Sequence, residues 1–435
     1  MRYRWNVLRF ALLWLTLATT GPVIASEPGK GWRMAFESSP RAGLSETQFK
    51  ALIERIKVAP EIAEKIRPKL VTGTLRYRIR VSAGGSKLRL RLSNEEGTTP
   101  LVIAAASVAL AGQDFDAKDG RLLAVTFSGS KGITIPPGAP VVSDPIDLGT
   151  DRGDDVLVSF TVTSALRLDG NGGSLVSVGP GDQSMAGHMH DARIMEGRPD
   201  ITGISVLTAR DTHLIVALGD SITDGNRLSL TALHSWPEEV SQRLAARGSG
   251  PDFAIVNAGI AGNRLLANGF GGLAALARLD RDALALDGIT HLIVLEGTND
   301  IGMSGHSSFG ENPAISPEDI ISGYRQIMAR AHDRGVKVIL GTILPFGGSG
   351  SHDTPEHERL RVTVNTWIRT SGEPDAVIDF DKALRDPEKP LQLRSDYDSG
   401  DHLHPNEAGS KAMGQAIDLS IFKIRNSIHT RRKNR

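Results

Sequence analysis

Residues 214–225 read LIVALGDSITDG, a run of five apolar residues that passes directly into a small and polar turn. Four more short apolar runs follow along the chain, at 253–256, 292–295, 336–340 and 376–378, and the segments between them have helical patterns. Continuous apolar strands that alternate with helices are typical of a parallel sheet covered on both faces. The sequence therefore predicts an α/β fold from about residue 206 onward.

Three of the intervening helices have start signals in the sequence. Two show the spacing of a capping box and one has a cap residue followed by proline: Ser235 with Glu238, Ser316 with Asp319, and Thr354 with Pro355. These signals predict helix N-termini at 235, 316 and 354.

Polar residues come directly after the predicted strands. Ser221 follows the first strand, Gly262 lies in the glycine-rich turn after the second, and Asn299 follows the third. Asp401 and His404 lie past the fifth. Since the carboxyl ends of parallel strands meet at one edge of a sheet, where such folds bind ligands, we expect these residues to converge.

This set supplies the parts of ester hydrolysis. Ser221 is the candidate nucleophile, His404 the base that activates it, and Asp401 the group that orients the imidazole. The backbone N–H of Ser221, the N–H of Gly262 and the amide of Asn299 are the candidate oxyanion-hole donors.

Each assignment has an alternative. Serine after a strand is often only a helix cap, and this applies to Ser221. His402 competes with His404 for the role of the base, and the Asp-x-x-His spacing favours His404.

At these residues the chain resembles the SGNH hydrolases, also called the GDSL esterase/lipase family. The segment Gly219-Asp220-Ser221-Ile222 resembles the family's first block, with isoleucine in place of leucine. Gly262 resembles the glycine of the second block and Asn299 the asparagine of the third. Asp401-His402-Leu403-His404 resembles the final block.

The resemblance covers roughly residues 210–425. It implies a three-layer α/β/α flavodoxin-like domain, no metal, no cofactor, and hydrolysis of esters, often acetyl esters on polysaccharides. The N-terminal region resembles the β-domain of secreted bacterial members.

Several other polar residues lie near the predicted site. We interpret Asp220 as holding the Ser221 turn, and Asp224 and Asp300 as bracing loops by hydrogen bonds. Three more either contact substrate or support a loop: Asn263, Arg264 and Glu296. His188 and His190 hint at a metal site but lack a clear third ligand, so no metal is expected.

The N-terminal half has a different pattern. Alternating apolar residues at 75–81 and 88–92, with arginine or lysine between them, predict strands with one buried face. Further strands are predicted at 101–110, 122–127, 132–135 and 156–162, and a helix from Ser45 to about Ile56. Together they predict an antiparallel β-sandwich, jelly-roll-like, at 26–205. The arginine stripe is interpreted as a solvated face, with polyanion binding as the alternative.

The composition limits the function classes. The 435 residues include 50 Lys and Arg and 50 Asp and Glu, so the net charge is zero and nucleic acid is not an expected partner. Cysteine is absent, which excludes disulfides and thiolate chemistry. Residues 1–25 combine a basic start with an apolar run too short to span a bilayer, which predicts a signal peptide.

The sequence thus predicts a signal peptide at 1–25, a β-sandwich domain at 26–205, a hydrolase domain at 206–428 and a basic tail at 429–435. The mature protein is expected to be secreted or periplasmic, without a membrane, and its oligomeric state is undetermined. The leading hypothesis is a serine esterase that removes short acyl groups from a small ester or an acetylated polysaccharide. The alternatives are a lipase, thioesterase or acyltransferase using the same site, and a glycan-binding protein with an inactive hydrolase domain.

Overall fold

A computed structural model describes residues 31–41, 46–56, 60, 63–64, 67–168, 174–198, 200–225, 228, 235–247, 250–305, 312–350 and 352–424. The predicted signal peptide, the basic tail and Ser45 of the first predicted helix lie outside these residues. Within them, no helix has the length and apolar character needed to cross a bilayer.

The described N-terminal region consists mainly of strands. They are β1 (Gly31–Glu37), β2 (Lys69–Arg80), β3 (Leu88–Ser93), β4 (Leu101–Leu110), β5 (Leu123–Ala124), β6 (Ile133–Ile135), β7 (Pro140–Val142), β8 (Asp155–Leu168), β9 (Leu175–Gly179), β10 (Arg193–Glu196) and β11 (Ile201–Thr208). Helix α1 (Glu46–Ile56) follows β1, and a 3₁₀ turn spans Lys118–Gly120.

These strands form two antiparallel sheets. One has the order β1-β11-β3-β7, and the other has the order β10-β9-β2-β8-β4-β5 with β6 paired to β4. Alternate side chains of β2 and β3, such as Leu75, Tyr77 and Leu90, are buried in one common core. The predicted antiparallel β-sandwich is confirmed.

One residue of the arginine stripe departs from the predicted solvated face. Arg78 is exposed, but Arg76 is fully buried. Its guanidinium donates to Ser159 Oγ at 2.8 Å and to the carbonyls of Phe115 and Ala186 at 3.1 and 2.6 Å. Two loops that the strand pattern does not reveal cover this part of the sheet, and their carbonyls replace water around Arg76.

The end of the sandwich coincides with a change in strand pairing. Strand β11 pairs antiparallel with β1 and β3 and continues to Thr208. The predicted boundary between 205 and 206 lies within this strand. Parallel pairing begins with the next strand, at Thr212.

The C-terminal half contains five parallel strands and eight helices among its described residues. The strands are β12 (Thr212–Gly219), β13 (Asp252–Gly259), β14 (Ile289–Leu295), β15 (Lys337–Gly341) and β16 (Ala376–Ile378). The helices are α2 (Ser221–Asp224), α3 (Trp236–Ala246), α4 (Ala275–Leu279), α5 (Thr298–Met303), α6 (Pro317–His332), α7 (Pro355–Thr370), α8 (Phe380–Leu384) and α9 (Glu407–Ala416). A π-helical turn spans Asp280–Leu284 and a 3₁₀ turn Leu419–Ile421.

The sheet has the order β13-β12-β14-β15-β16 and is covered on both faces. Leu214, Val216 and Leu218 of β12 pack in the core that includes α4, α6 and α7. Ile215 and Ala217 point the other way, into the core formed with α3, α8 and α9. The predicted three-layer α/β/α arrangement is confirmed, and all five predicted strands are present.

Two of the three predicted helix starts have the expected cap. Ser316 and Asp319 form a reciprocal capping box, and Thr354 accepts from the N–H of His357. Ser235 precedes α3, but its side chain makes no cap hydrogen bond. The predicted capping box at Ser235 is therefore wrong, although the helix begins where predicted; Glu238 instead lines a cavity together with Arg80 of the sandwich.

The sandwich and the parallel sheet are packed together. Strand β1 packs against β13. Arg33 donates to the carbonyl of Thr212 at 2.8 Å, and Arg152 pairs with Asp252 at 2.5 Å. These contacts join the sandwich to the amino ends of β12 and β13.

Candidate active site

Three residues of the site follow the carboxyl ends of three neighbouring strands. Strand β12 lies between β13 and β14, so their carboxyl ends are adjacent. Ser221 is the first residue of α2 after β12, Gly262 lies in the turn after β13, and Asn299 lies in the first turn of α5 after β14. The order of these strands reverses at β12, and such a switch point is where open α/β sheets bind ligands.

The loop before α9 places Asp401 and His404 beside Ser221. Ser221 Oγ lies 2.8 Å from His404 Nε2, and His404 Nδ1 lies 2.8 Å from Asp401 Oδ2. An ionised carboxylate only accepts, so the Nδ1 proton points to Asp401 and Nε2 accepts from the serine hydroxyl. The three side chains form one continuous hydrogen-bond chain.

Asp401 is held in its charged form. Burial alone would raise its pKa, but the hydrogen bond and charge of His404 and the N–H groups of Leu403 and His404 outweigh burial. The pKa of Asp401 is therefore well below its ordinary value. At any pH at which the His404 imidazole is neutral and able to act as a base, Asp401 is therefore ionised.

The competing histidine faces a different partner. The imidazole Nδ1 of His402 is hydrogen-bonded to Asp398, and its side chain is half exposed. The backbone of His402 is left-handed, with a φ of 60°. The ring of His402 is thus paired with Asp398, whereas the ring of His404 is paired with Ser221.

The three predicted oxyanion-hole donors lie in different local structures. Ser221 is the first residue of a helix, where the N–H has no intrahelical acceptor. The amide of Asn299 donates one of its two hydrogens to the carbonyl of Asn263 at 2.9 Å, which fixes its orientation. Gly262 has a φ of 78°, and a Cβ there would lie 2.3 Å from the ring of Phe270.

Asp220 shapes the turn that carries Ser221. It is the N-cap of α2, and its Oδ1 accepts from the N–H of Ile222 at 2.9 Å. Burial raises the pKa of Asp220 to about 6, although the Ile222 hydrogen bond opposes this change. The hydrogen bond from Ile222 to Asp220 holds the turn that carries Ser221.

A buried arginine behind the site is a residue that sequence reasoning missed. Arg278 has no exposed surface and donates to the carbonyls of Gly219 and Ala258 at 3.0 and 2.7 Å. It also donates to Asn263 Oδ1 at 2.9 Å and pairs with Glu296 at 3.4 Å. The sequence offered one signal for it, a single arginine within the otherwise apolar stretch 273–279. An arginine that is buried with such a stretch requires hydrogen-bond or ion-pair partners.

The same environment sets the ionisation of Glu296. Glu296 is fully buried, and burial together with the nearby Asp220 raises its pKa well above the ordinary value despite Arg278. Glu296 lies beneath the site, and its contact with Arg278 supports the site.

The remaining predicted residues brace the loops around the site. Asp300 accepts from the N–H groups of Leu265 and Leu266 at 2.7 and 2.9 Å. Asp224 accepts from Ala261, Asn263 donates to the carbonyls of Gly271 and Leu273, and Arg264 donates to Asn312 and Asn268.

The two histidines of the sandwich, His188 and His190, contact each other, and His188 contacts Asp116. His188 Nδ1 is 2.8 Å from Asp116, and its ring meets the ring of His190 edge-on. In the part of the chain that the structure describes, no group of three or more His, Cys, Asp or Glu side chains is placed to hold a metal ion.

The site lies within a region that matches a known family. The model of the GDSL-like Lipase/Acylhydrolase family matches residues 217–412, from β12 to α9. The C-terminal half of this chain is a GDSL-like acylhydrolase domain. The SGNH resemblance is thereby confirmed, and the protein is an ester hydrolase.

Several solved structures are similar to this hydrolase. A lipolytic protein of the G-D-S-L family from Desulfitobacterium hafniense is 20% identical with a TM-score of 0.36, covering 47% of this chain and 96% of its own. An acetylxylan esterase from Geobacillus stearothermophilus is 18% identical with a TM-score of 0.38, covering 49% and 95%. An acylhydrolase from Bacteroides fragilis is 20% identical with a TM-score of 0.34, covering 48% and 86%. No protein of curated function matches the hydrolase in sequence.

Proposed function

We propose that this hydrolase is an exported serine esterase that removes short acyl groups, acetyl above all, from a carbohydrate. The observation that carries the proposal is the chain from Ser221 Oγ through His404 to Asp401, with both distances at 2.8 Å. A serine hydroxyl in such a chain is activated by its neighbouring base.

Acylation begins when Ser221 Oγ attacks the ester carbonyl carbon. The hydroxyl proton passes to His404 Nε2 as the Oγ–carbon bond forms. Asp401 stabilises the resulting imidazolium through its hydrogen bond to Nδ1. His404 then gives the same proton to the leaving alcohol oxygen as the ester C–O bond breaks.

The tetrahedral intermediate carries a negative oxygen between these two events. The N–H groups of Ser221 and Gly262 and the second hydrogen of the Asn299 amide donate to this oxygen. Loss of one such donor typically costs about 3 kcal/mol of transition-state stabilisation.

Deacylation repeats the sequence with water. His404 takes a proton from a water molecule as its oxygen attacks the acyl-enzyme, and the proton returns to Ser221 Oγ as the carboxylic acid leaves. The proposed reaction thus uses these side chains, the oxyanion-hole donors and water.

Polar surroundings favour a small acyl group on a polar alcohol. The loop after β13 contributes the polar residues Arg264 and Asn268, and Arg264 donates to the carbonyl of Asn268 and to Asn312 Oδ1. A site for a long fatty chain requires a predominantly apolar lining. A carbohydrate alcohol matches this loop better than a lipid does.

Export is the second part of the proposal. Its support is the basic and apolar pattern at 1–25, which has the character of a cleaved signal peptide. N-terminal sequencing of protein recovered outside the cytoplasm tests it. A mature start near Ser26 is the expected result, and retention of Met1 contradicts export by cleavage.

Hydrolysis of p-nitrophenyl esters from acetyl to palmitoyl, by wild type and Ser221→Ala, tests the chemistry. We expect activity on the shortest chains, with kcat/KM lowered about 10⁴-fold or more in Ser221→Ala. Ser371→Ala is the matched control, because Ser371 follows α7 and precedes β16, at the opposite edge of the sheet. Release of acetate from acetylated xylan, pectin and mannan then identifies the carbohydrate.

Other outcomes separate the alternatives. Full activity in Ser221→Ala would overturn the nucleophile. A preference for palmitoyl over acetyl would indicate a lipase, and acyl transfer to an added sugar in preference to water would indicate an acyltransferase. Glycan binding by a protein without any turnover would indicate a binding role.

A further inference from the structure

One arginine of the β-sandwich reaches the catalytic edge of the parallel sheet. Arg198 lies between β10 and β11, and its side chain is 7% exposed. Its Nε donates to the carbonyl of Ser39 at 3.0 Å, within the sandwich region. Its two terminal nitrogens point into the hydrolase domain.

Both acceptors in the hydrolase domain adjoin the proposed catalytic groups. Nη1 lies 3.2 and 3.3 Å from the carboxylate oxygens of Asp224, the last residue of the one-turn helix that Ser221 begins. Nη2 donates to the carbonyl of Gly259 at 2.9 Å. Gly259 is the last residue of β13, three positions before Gly262.

Asp224 extends this contact toward the oxyanion hole. Its Oδ2 also accepts from the N–H of Ala261 at 3.2 Å. A hydrogen-bond path therefore runs from Arg198 through Asp224 to the residue next to Gly262. The Gly259 carbonyl anchors the start of the same turn, so Arg198 holds the turn at both of its ends.

The chemistry of the contact requires arginine. A guanidinium presents donors in a rigid fork, and here three of its nitrogens serve two carbonyls and a carboxylate on separate segments. Lysine keeps the charge but has no such fork. Because Asp224 is only 13% exposed, loss of the arginine also leaves a largely buried carboxylate without its cation.

We propose that Arg198 is a positioning residue for ester hydrolysis. It fixes the turn at 259–262 so that the Gly262 N–H points at the oxyanion, and it thereby makes the β-sandwich part of the catalytic machinery. This inference rests on the proposed function, in which Gly262 is an oxyanion-hole donor.

Kinetics of Arg198→Lys and Arg198→Ala on p-nitrophenyl acetate test the proposal in the full-length protein. We expect kcat to fall about 10- to 100-fold, because small displacements of a reacting geometry have effects of this size. We expect KM to change far less, since the proposed donor acts on the transition state. Asp224→Asn combined with Arg198→Lys should lose no more than the larger single effect, because both act through one path.

Arg152→Ala is the matched control. Arg152 also joins the sandwich to β13 by an ion pair, but at Asp252, the first residue of that strand. Its loss weakens the same domain contact at the far end of the strand, so kcat should stay at the wild-type value.

The outcomes are distinct. Wild-type kcat in a folded Arg198→Lys variant, as judged by its urea unfolding midpoint, overturns the proposal, and so does an equal loss of kcat in Arg152→Ala. If Arg198→Ala does not fold, Arg198→Lys decides the question. Activity that survives Ser221→Ala overturns the proposed function itself, whereas wild-type activity of Arg198 variants with an inactive Ser221→Ala overturns this inference alone.

Discussion

At the scale of single residues, two histidines two positions apart have opposite environments. His404 bridges Ser221 and Asp401, and its side chain is 12% exposed. His402 is paired with Asp398 and is 53% exposed. The Asp-x-x-His spacing is sufficient to choose between them, because Asp401 accepts both the backbone N–H and the ring N–H of His404.

Substitution of each histidine by alanine tests this difference. We expect His404→Ala to lower kcat by about 10⁴-fold or more, since the serine loses its base. His402→Ala should retain the wild-type kcat. Ester hydrolysis at saturating substrate measures both, and an inactive His402→Ala beside an active His404→Ala would reverse the assignment.

At the scale of secondary-structure elements, local sequence signals define where helices begin. Helix α2 is only one turn long, with Asp220 as its N-cap and Gly225 as its left-handed C-cap at a φ of 93°. Both caps belong to the segment that carries Ser221, so the nucleophile's backbone is specified locally. At α6 the capping box forms as predicted, whereas at α3 the Ser235 side chain makes no cap hydrogen bond and Glu238 lines the cavity at the sandwich.

Replacement of the serines at the starts of α6 and α3 should lower the stability of the protein by different amounts. Ser316→Ala removes a side-chain bond to the N–H of Asp319, and we expect a cost of about 1 kcal/mol in unfolding free energy. Ser235→Ala removes no cap hydrogen bond, so its cost should be smaller. Urea unfolding midpoints measure both, and equal costs would contradict the role of the capping box.

At the scale of the whole molecule, buried charge is concentrated where the sandwich meets the hydrolase domain. A cavity of about 160 Å³ at this junction is lined by Glu37, Arg80, Arg198, Asp224 and Glu238, among others. Burial raises the pKa of Glu238 to about 7, and the facing Arg80 only partly opposes this. Burial also raises the pKa of Glu37 well above its ordinary value.

The raised pKa of Glu238 makes the stability of the folded protein depend on pH. Between about pH 4.5 and 7 the unfolded chain has lost this proton while the folded protein keeps it, so stability falls as pH rises through this range. The full effect corresponds to about 3 kcal/mol. We expect Glu238→Gln to lose the part of the fall that this carboxyl causes, and therefore to have a shallower pH dependence and to be more stable than wild type at pH 8.

Urea unfolding from pH 4.5 to 8 measures this dependence. Glu318→Gln, on the exposed first turn of α6, controls for the loss of one surface carboxylate. An unchanged slope in Glu238→Gln would contradict the assignment of the titration to this residue.

Much of this protein follows from its sequence because the informative residues are contiguous. Each apolar run predicts a parallel strand, and the residue that follows it, such as Ser221, Gly262 or Asn299, is carried to the same sheet edge by chain connectivity alone. The parallel fold and the sheet-edge positions of these three residues therefore follow from local patterns repeated along the chain.

Only the tertiary structure decided the contacts between distant segments. The pairing of β1 with β11, the burial of Arg76 under two loops, and the partners of Arg278 and Arg198 all join residues that are far apart in sequence. An arginine has the same pattern in a sequence whether its guanidinium faces water or buried carbonyls. The physical reason is that many of its partners are backbone carbonyls, which every residue possesses, and that its side-chain partners, such as Asp224 for Arg198, lie on segments distant in sequence.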